Sequence, residues 1–201
     1  MIASLSRAQL FLRGATGGAA LLLAGSVAGS LASTASADAI PDGDLAYARL
    51  LIGAELLALD FYSQAIGSKR FSGDALKHLK RGRFNEREHY KSVSGILTGA
   101  GQTPATAADF DFFYPKRTFG STTSIAKLGV TLETTLHGAY LGAVDALETN
   151  ALKQPVARIA ASEAEHLSVF TRLSGGSPVG ISFPSALTID EASNALDAYT
   201  S

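Results

Sequence analysis

Beyond position 41 apolar residues recur at helical spacing in four long runs and one short one, and nothing in the pattern competes as a strand. In the first run Tyr47, Leu51, Ala54, Ala58, Phe61 and Ala65 share a face. Pro41-Asp42-Gly43-Asp44 supplies its start signals and Gly67 its stop, which predicts a helix over about 43–67. Ser72-Gly73-Asp74 caps a second helix, about 74–98, whose stripe is Leu76, Leu79, Glu86, Tyr90, Val93 and Leu97 and which Gly99 and Gly101 end. Residues 101–120 hold Pro104, Pro115, four Phe and Tyr114 without a sustained period. They predict a long connection, able to cross a bundle, whose aromatic part from Phe110 to Tyr114 packs on the helices. Ser121-Thr122-Thr123-Ser124 caps a third helix, about 123–149, with Ile125, Leu128, Leu132, Thr135, Ala139 and Ala143 inward. A fourth, about 153–174, carries Val156, Ile159, Glu163, His166, Phe170 and Leu173, with Pro155 in its first turn. A Gly/Ser/Pro stretch, 174–185, leads to a short amphipathic helix near 189–199 capped by Thr188. The expected architecture is therefore all-α: a four-helix bundle with a long crossover between helices 2 and 3 and a short C-terminal helix.

Composition narrows the chemistry. Of the 201 residues 46% are hydrophobic and 17% charged, with 17 Lys and Arg against 18 Asp and Glu, a balance that fits neither a basic nucleic-acid binder nor a disordered chain. Cys and Trp are absent and there is one Met, so thiolate metal sites, disulfides and Cys nucleophiles are excluded. Redox chemistry would have to rest on His, carboxylates, Tyr or a bound cofactor.

The first 37 residues read as an export signal. Arg7 and Arg13 precede an uncharged Ala/Gly/Leu-rich run from Gly14 to Ala32, and Ala35-Ser36-Ala37 has the small residues of a cleavage site. An uncleaved anchor is the alternative, weakened by the Gly, Ser and Thr within the run. Ser6-Arg7-Ala8-Gln9-Leu10-Phe11-Leu12 resembles a twin-arginine signal in which Ala8 stands where the second arginine would be, so the general secretory and twin-arginine routes both remain open. Cleavage after Ala37 leaves a single domain, 38–201, with all 18 acidic residues and the 17 basic ones less Arg7 and Arg13, a formal charge of −3.

Within otherwise apolar helical faces stand four glutamates. Glu55 shares a face with Ile52, Leu59, Tyr62 and Ile66, and Glu133 with Val130, Leu136, Tyr140 and Val144. Helices 2 and 4 each place a glutamate three residues before a histidine, Glu86-x-x-His89 and Glu163-x-x-His166, so that both side chains leave the same face about one turn apart. The halves repeat: Tyr62 follows Glu55 at +7, and Glu86/His89 follow at +31/+34; Tyr140 follows Glu133 at +7, and Glu163/His166 follow at +30/+33. Two hairpins facing each other would converge four carboxylates and two imidazoles on the bundle centre. Four buried carboxylates repel and each costs several kcal/mol to desolvate, whereas two divalent cations cancel their charge. Carboxylate and imidazole without thiolate suit Fe, Mn or Zn, and shared glutamates, with Glu133 one candidate, would hold two ions about 3.5–4 Å apart. Few ligands per ion leave open positions of the kind used in oxygen chemistry, which favours Fe or Mn over Zn. His137, one turn after Glu133, ranks below the six because its counterpart Leu59 is apolar; His78, Glu88 and Glu165 read as surface groups.

With these residues in place the chain resembles the ferritin-like superfamily, in particular the exported ferritin-like proteins that include plant and bacterial desiccation-related proteins. The resemblance covers roughly 43–199 and is carried by Ala54 to Tyr62, the two Glu-x-x-His pairs, Phe112-Phe113-Tyr114-Pro115 with Thr118-Phe119, and Leu132-Glu133 with Gly138 to Ala143. It implies that Glu55 and Glu133 are the single-helix ligands and Glu86, His89, Glu163 and His166 the paired ones. Tyr62 and Tyr140, two turns beyond the single glutamates, are expected to hydrogen-bond the ligands. Two functions follow from it. One is a di-metal oxidase using two Fe ions, with Mn as the alternative, and O2 or peroxide as the partner. The other is a non-catalytic stress or envelope protein whose metal, where present, is structural. A homo-oligomer is compatible with either. If Ala35-Ser36-Ala37 is the cleavage site, intact-mass measurement of exported protein will find Asp38 as its first residue, and a full-length N-terminus on membrane-bound protein would show an anchor instead.

Overall fold

The computed structural model describes residues 39–200, so the export signal expected over 1–37 lies outside the described residues. Five α-helices follow in order: α1 Asp42–Gly67, α2 Gly73–Gly99, α3 Thr122–Ala146, α4 Asn150–Leu173 and α5 Ile189–Asp197. Among the described residues the only extended pairing is one bridge, Phe112 to Thr200. None of the described helices is long and apolar enough to cross a membrane. The pairs α1–α2 and α3–α4 are antiparallel hairpins, and α1 also packs on α3 and α2 on α4, which closes the four-helix bundle. Local chemistry caps α3 and α5 where it was expected to, whereas Ser72, expected to cap α2, makes no side-chain cap hydrogen bond. Ser121 and Ser124 exchange side-chain and backbone hydrogen bonds at the start of α3, and Thr188 does the same with Glu191 at the start of α5.

The α3–α4 turn departs from the sequence expectation. Helix 3 ends at Ala146 rather than near 149, and helix 4 begins at Asn150 rather than near 153. The cause lies in α1. Asp44, read from sequence as a start signal for its own helix, is buried and accepts hydrogen bonds from the backbone N–H groups of Glu148 (2.8 Å) and Thr149 (2.9 Å). Leu147 is thereby held extended (φ −57°, ψ 131°), and α4 starts three residues early. Pro155 then falls inside the helix instead of in its first turn. Its missing N–H leaves the Ala151 carbonyl without a helical donor, and Ala151 is exposed, so water fills the role.

Phe61, Phe170, Leu79, Leu97, Ile125 and Leu136 are essentially fully buried between the hairpins, each contributing on the order of 2 kcal/mol through lost apolar exposure. The 101–120 connection is pinned along α1 and to α2. Arg49 Nη2 donates to Gln102 Oε1 (2.6 Å), Tyr90 Oη to the Ala105 carbonyl (2.9 Å) and Tyr114 Oη to Asp60 Oδ2 (2.8 Å). Phe110 stacks on Phe112, and Tyr114 meets Phe61 and Phe119. Phe113 alone of this aromatic run faces solvent. The C-terminal segment crosses α3 where Gly138 and Gly142 open a groove. Leu187 N–H donates to the Gly138 carbonyl (2.9 Å), and a Cβ at Gly142 would lie 1.7 Å from the Leu187 carbonyl oxygen.

Replacing Asp44 leaves two backbone donors without their charged acceptor. Asp44→Ala is expected to lower unfolding free energy by about 2 kcal/mol in urea titration, with helix content retained; an unchanged midpoint would show that the turn does not depend on it.

Candidate metal centre

Each helix of the bundle delivers its chemistry inward at the same level. α1 contributes Glu55, α2 Glu86 and His89, α3 Glu133, and α4 Glu163 and His166. The four glutamates are at most 1% exposed, His89 is 9% and His166 5% exposed. The two i,i+3 pairs point to one centre because three residues advance a helix by nearly one turn, as the sequence spacing anticipated.

The six residues form two overlapping groups, Glu55, Glu86, His89 and Glu163, and Glu86, Glu133, Glu163 and His166. In each group one ligand atom from every member lies within 4.8 Å of the others, the spacing a single ion requires. Glu86 and Glu163 belong to both groups. The sharing falls to them, not to Glu133, which serves one group only. The paired glutamate of each Glu-x-x-His is thus common to the two positions, and each single-helix glutamate, with one histidine, is particular to one. His166 Nδ1 lies 2.7 Å from Glu86 Oε1 and 3.1 Å from Glu163 Oε2; His89 Nδ1 lies 2.8 Å from Glu163 Oε1 and 3.4 Å from Glu86 Oε2.

These approaches are short, yet they leave many atoms without a hydrogen bond. Glu55 Oε2, both oxygens of Glu86, Glu133 Oε2, Glu163 Oε1 and His89 Nδ1 are buried and make no well-aligned hydrogen bond, only close approaches to one another. Unpaired buried polar atoms each cost about 1–3 kcal/mol, more when charged. Such a cluster persists where the atoms converge on a cation rather than on one another. The donor set of carboxylate oxygen and imidazole nitrogen fits a pair of iron, manganese or zinc ions.

Two tyrosines hold the ends of the centre. Tyr62 Oη of α1 donates to Glu133 Oε1 of α3 (2.7 Å), and Tyr140 Oη of α3 donates to Glu55 Oε1 of α1. Hydrogen bonds from both tyrosines to the glutamates were expected, but each crosses to the glutamate of the other half. Helices α1 and α3 are therefore clasped twice, once at each single-helix glutamate. Space for Tyr62 comes from Gly82 on α2, where a Cβ would stand 2.7 Å from the phenol ring. Burial pushes both phenols well above their ordinary value of 10.0, and the neighbouring carboxylates Glu133 and Glu55 add to the shift, so both stay protonated as donors.

Without metal the centre holds protons instead. Burial, and then the charges of Glu86 and Glu163, push Glu55 and Glu133 well above the ordinary 4.5. Burial opposes the charge on Glu86, but the close approach of the His166 and His89 imidazoles overcomes it and holds that carboxyl at about 2. The histidines respond in kind. Burial would lower them, and the adjacent carboxylates of Glu163 and Glu86 raise His89 to about 9 and His166 to about 11. Four carboxyl groups with two imidazoles are neutral with four protons, the charge of two divalent ions.

Sequence reading missed Asn85. Its Nδ2 is 3.0 Å from His166 Nε2, across the α2–α4 interface. Placed between Phe84 and Glu86 on a largely solvated stretch, it carries no signal in the chain; only the packing of α4 against α2 selects it. His137 is buried and belongs to neither group, and burial lowers its imidazole below 6.5. His78 and Glu165 are exposed, and Glu88 pairs with Lys91 at 2.9 Å on the surface, as expected.

Against known families, a model described as a ferritin-like domain matches residues 43–176, about two thirds of the chain and all six residues of the centre. No curated protein matches the chain.

Proton occupancy makes a stability prediction. Glu55, Glu133, His89 and His166 all have folded values above their unfolded ones, so between about pH 4.5 and 9 the metal-free fold binds more protons than the unfolded chain. Their contribution is full below the unfolded values and is lost as pH rises through the folded ones. The melting temperature of chelator-treated protein is expected to fall as pH rises from 5 to 9, and added Mn(II) to reverse the trend. A flat profile without metal would contradict the shared-proton account.

Proposed function

The chain belongs to the ferritin-like domain family, and from that membership we propose that it is an exported di-metal carboxylate protein that binds two iron ions and oxidises Fe(II) with O2 or peroxide. Manganese is the alternative ion for the same donor set. The observation that supports the reading is that Glu86 and Glu163 each belong to both ligand groups, the arrangement that two ions bound side by side would require. Export is inferred from Arg7, Arg13, the Gly14–Ala32 run and Ala35-Ser36-Ala37, and it would deliver the folded bundle outside the cytoplasm.

When bound, a pair of redox-active ions supplies the electrons that reduction of O2 or peroxide requires. The chain's own groups do the rest. Glu86 and Glu163 hold both positions together, while Glu55 with His89 and Glu133 with His166 complete one each. Tyr62 and Tyr140 fix the orientation of Glu133 and Glu55 by donating to one oxygen and leaving the other free for an ion. Ile52 and Leu136, buried on the same faces one turn from Glu55 and Glu133, keep bulk water from the carboxylates. Four ligand residues per position, two of them shared, would leave an ion that prefers six ligands room for an oxidant, whereas a structural ion has a closed shell.

Anaerobic Fe(II)-loaded protein mixed with O2 or hydrogen peroxide is expected to lose ferrous iron on the order of tenfold or more faster than Fe(II) in buffer, read by a ferrous chelator. Glu163→Ala, which removes a ligand from both positions, should return the rate to that of buffer and remain helical. Oxidation by the wild type at the buffer rate would instead support the non-catalytic stress or envelope reading.

A further inference from the structure

The two halves of the centre are alike in their six ligands but not in what supports them. Asn85 precedes Glu86 and reaches across to His166 Nε2 at 3.0 Å. Its counterpart in the second half is Ser162, which precedes Glu163; its side chain is shorter, and among the described residues nothing hydrogen-bonds His89 Nε2. His166 has a second support in the edge of Tyr62, with ring centroids 6.0 Å apart. Among the described residues the only ring that packs on His89 is His166 itself. The His89 side chain is also the more open of the two, 11% exposed against 6%.

From this asymmetry we propose that the two ion positions are unequal. The position of Glu86, Glu133, Glu163 and His166 is resident, that of Glu55, Glu86, His89 and Glu163 is exchangeable, and Asn85 is the positioning residue that separates them. The inference rests on the di-metal reading above and adds an order of binding to it.

The physical argument concerns the imidazole before an ion arrives. A histidine binds through Nδ1 only when the hydrogen sits on Nε2 and the ring faces the site. The Asn85 amide stands with Nδ2 toward His166 Nε2, and a half-turn about its terminal bond, which exchanges Nδ2 and Oδ1 in place, gives His166 Nε2–H a fixed acceptor. That bond selects the tautomer, holds the ring plane and raises the basicity of Nδ1. His89 Nε2 has no such acceptor among the described residues, so its ring must be ordered when an ion binds, and its position lies closer to solvent. Loss of an outer hydrogen bond of this kind typically costs 10–100-fold in metal affinity. His89 lacks that bond by construction, and its position should be weaker by a factor in that range. Ions would then enter and leave on the His89 side while the His166 side stays filled.

The test is an anaerobic titration of metal-free protein with Mn(II), free ion being read by electron paramagnetic resonance. Wild type is expected to bind two ions in steps whose dissociation constants differ by roughly tenfold or more, and to keep one ion per chain through dialysis. Asn85→Ala should weaken the first step by about 10–100-fold and leave the second unchanged. Asn85→Asp, whose carboxylate accepts from Nε2–H, should restore the first step, which a general loss of packing would not allow. Two equal steps in wild type, or equal weakening of both in Asn85→Ala with circular dichroism unchanged, would overturn the inequality and leave the di-metal reading intact. No Mn(II) or Fe(II) binding by wild type would overturn the di-metal reading itself and this inference with it.

Discussion

Four carboxylates meeting in the apolar centre of a bundle set the terms for everything packed around them. Glu55, Glu86, Glu133 and Glu163 are almost wholly removed from water, and each would carry a desolvation penalty of several kcal/mol as a lone charge. The fold tolerates them because compensation is built in at every level. Protons on two imidazoles and two carboxyls balance the charge in the metal-free protein, and divalent cations do so when bound. A buried charge that needs an external partner is expensive as a stability device, so its presence four times over at one level of one bundle marks a cluster that could hold metal ions.

Support for that site is arranged across the bundle rather than within each hairpin. Tyr62 and Tyr140 link α1 and α3 reciprocally, so the single glutamate of each half is oriented by the other half. Neither hairpin alone can therefore present its ligands as the whole protein does. Asn85 adds a link between α2 and α4. The centre depends on both helix interfaces that join the hairpins, and assembling the hairpins and forming the site are one event.

Outside the site, the two irregular segments act as straps. The 101–120 connection lies along α1, fastened through Arg49, Tyr90 and Tyr114, and the C-terminal segment lies on α3 in the groove left by Gly138 and Gly142. Phe113 N–H donates to the Tyr199 carbonyl at 2.9 Å, which ties one strap to the other. The connection thus holds α1, the helix whose Glu55 and Tyr62 serve opposite halves of the centre, and the C-terminal segment holds α3, which carries Glu133 and Tyr140.

Most of the fold and all six residues of the candidate centre were legible in the chain, because they rest on local physics. A 3.6-residue period decides which residues share a face, an i,i+3 spacing decides that Glu86 points with His89, and serine and threonine caps decide where α3 and α5 begin. The repeat of Glu, Tyr and Glu-x-x-His shows that two hairpins contribute equal sets. What the chain alone left undecided is which partner each group finds across space. Asp44 reads as a helix start and instead ends α3 from 104 residues away. Sharing of Glu86 and Glu163, the crossing of the tyrosines, and the choice of Asn85 over Ser162 depend on distances of 2.7–3.0 Å between helices. A small rotation or slide of one helix changes such distances while leaving every local pattern intact, so they are decided by tertiary packing alone.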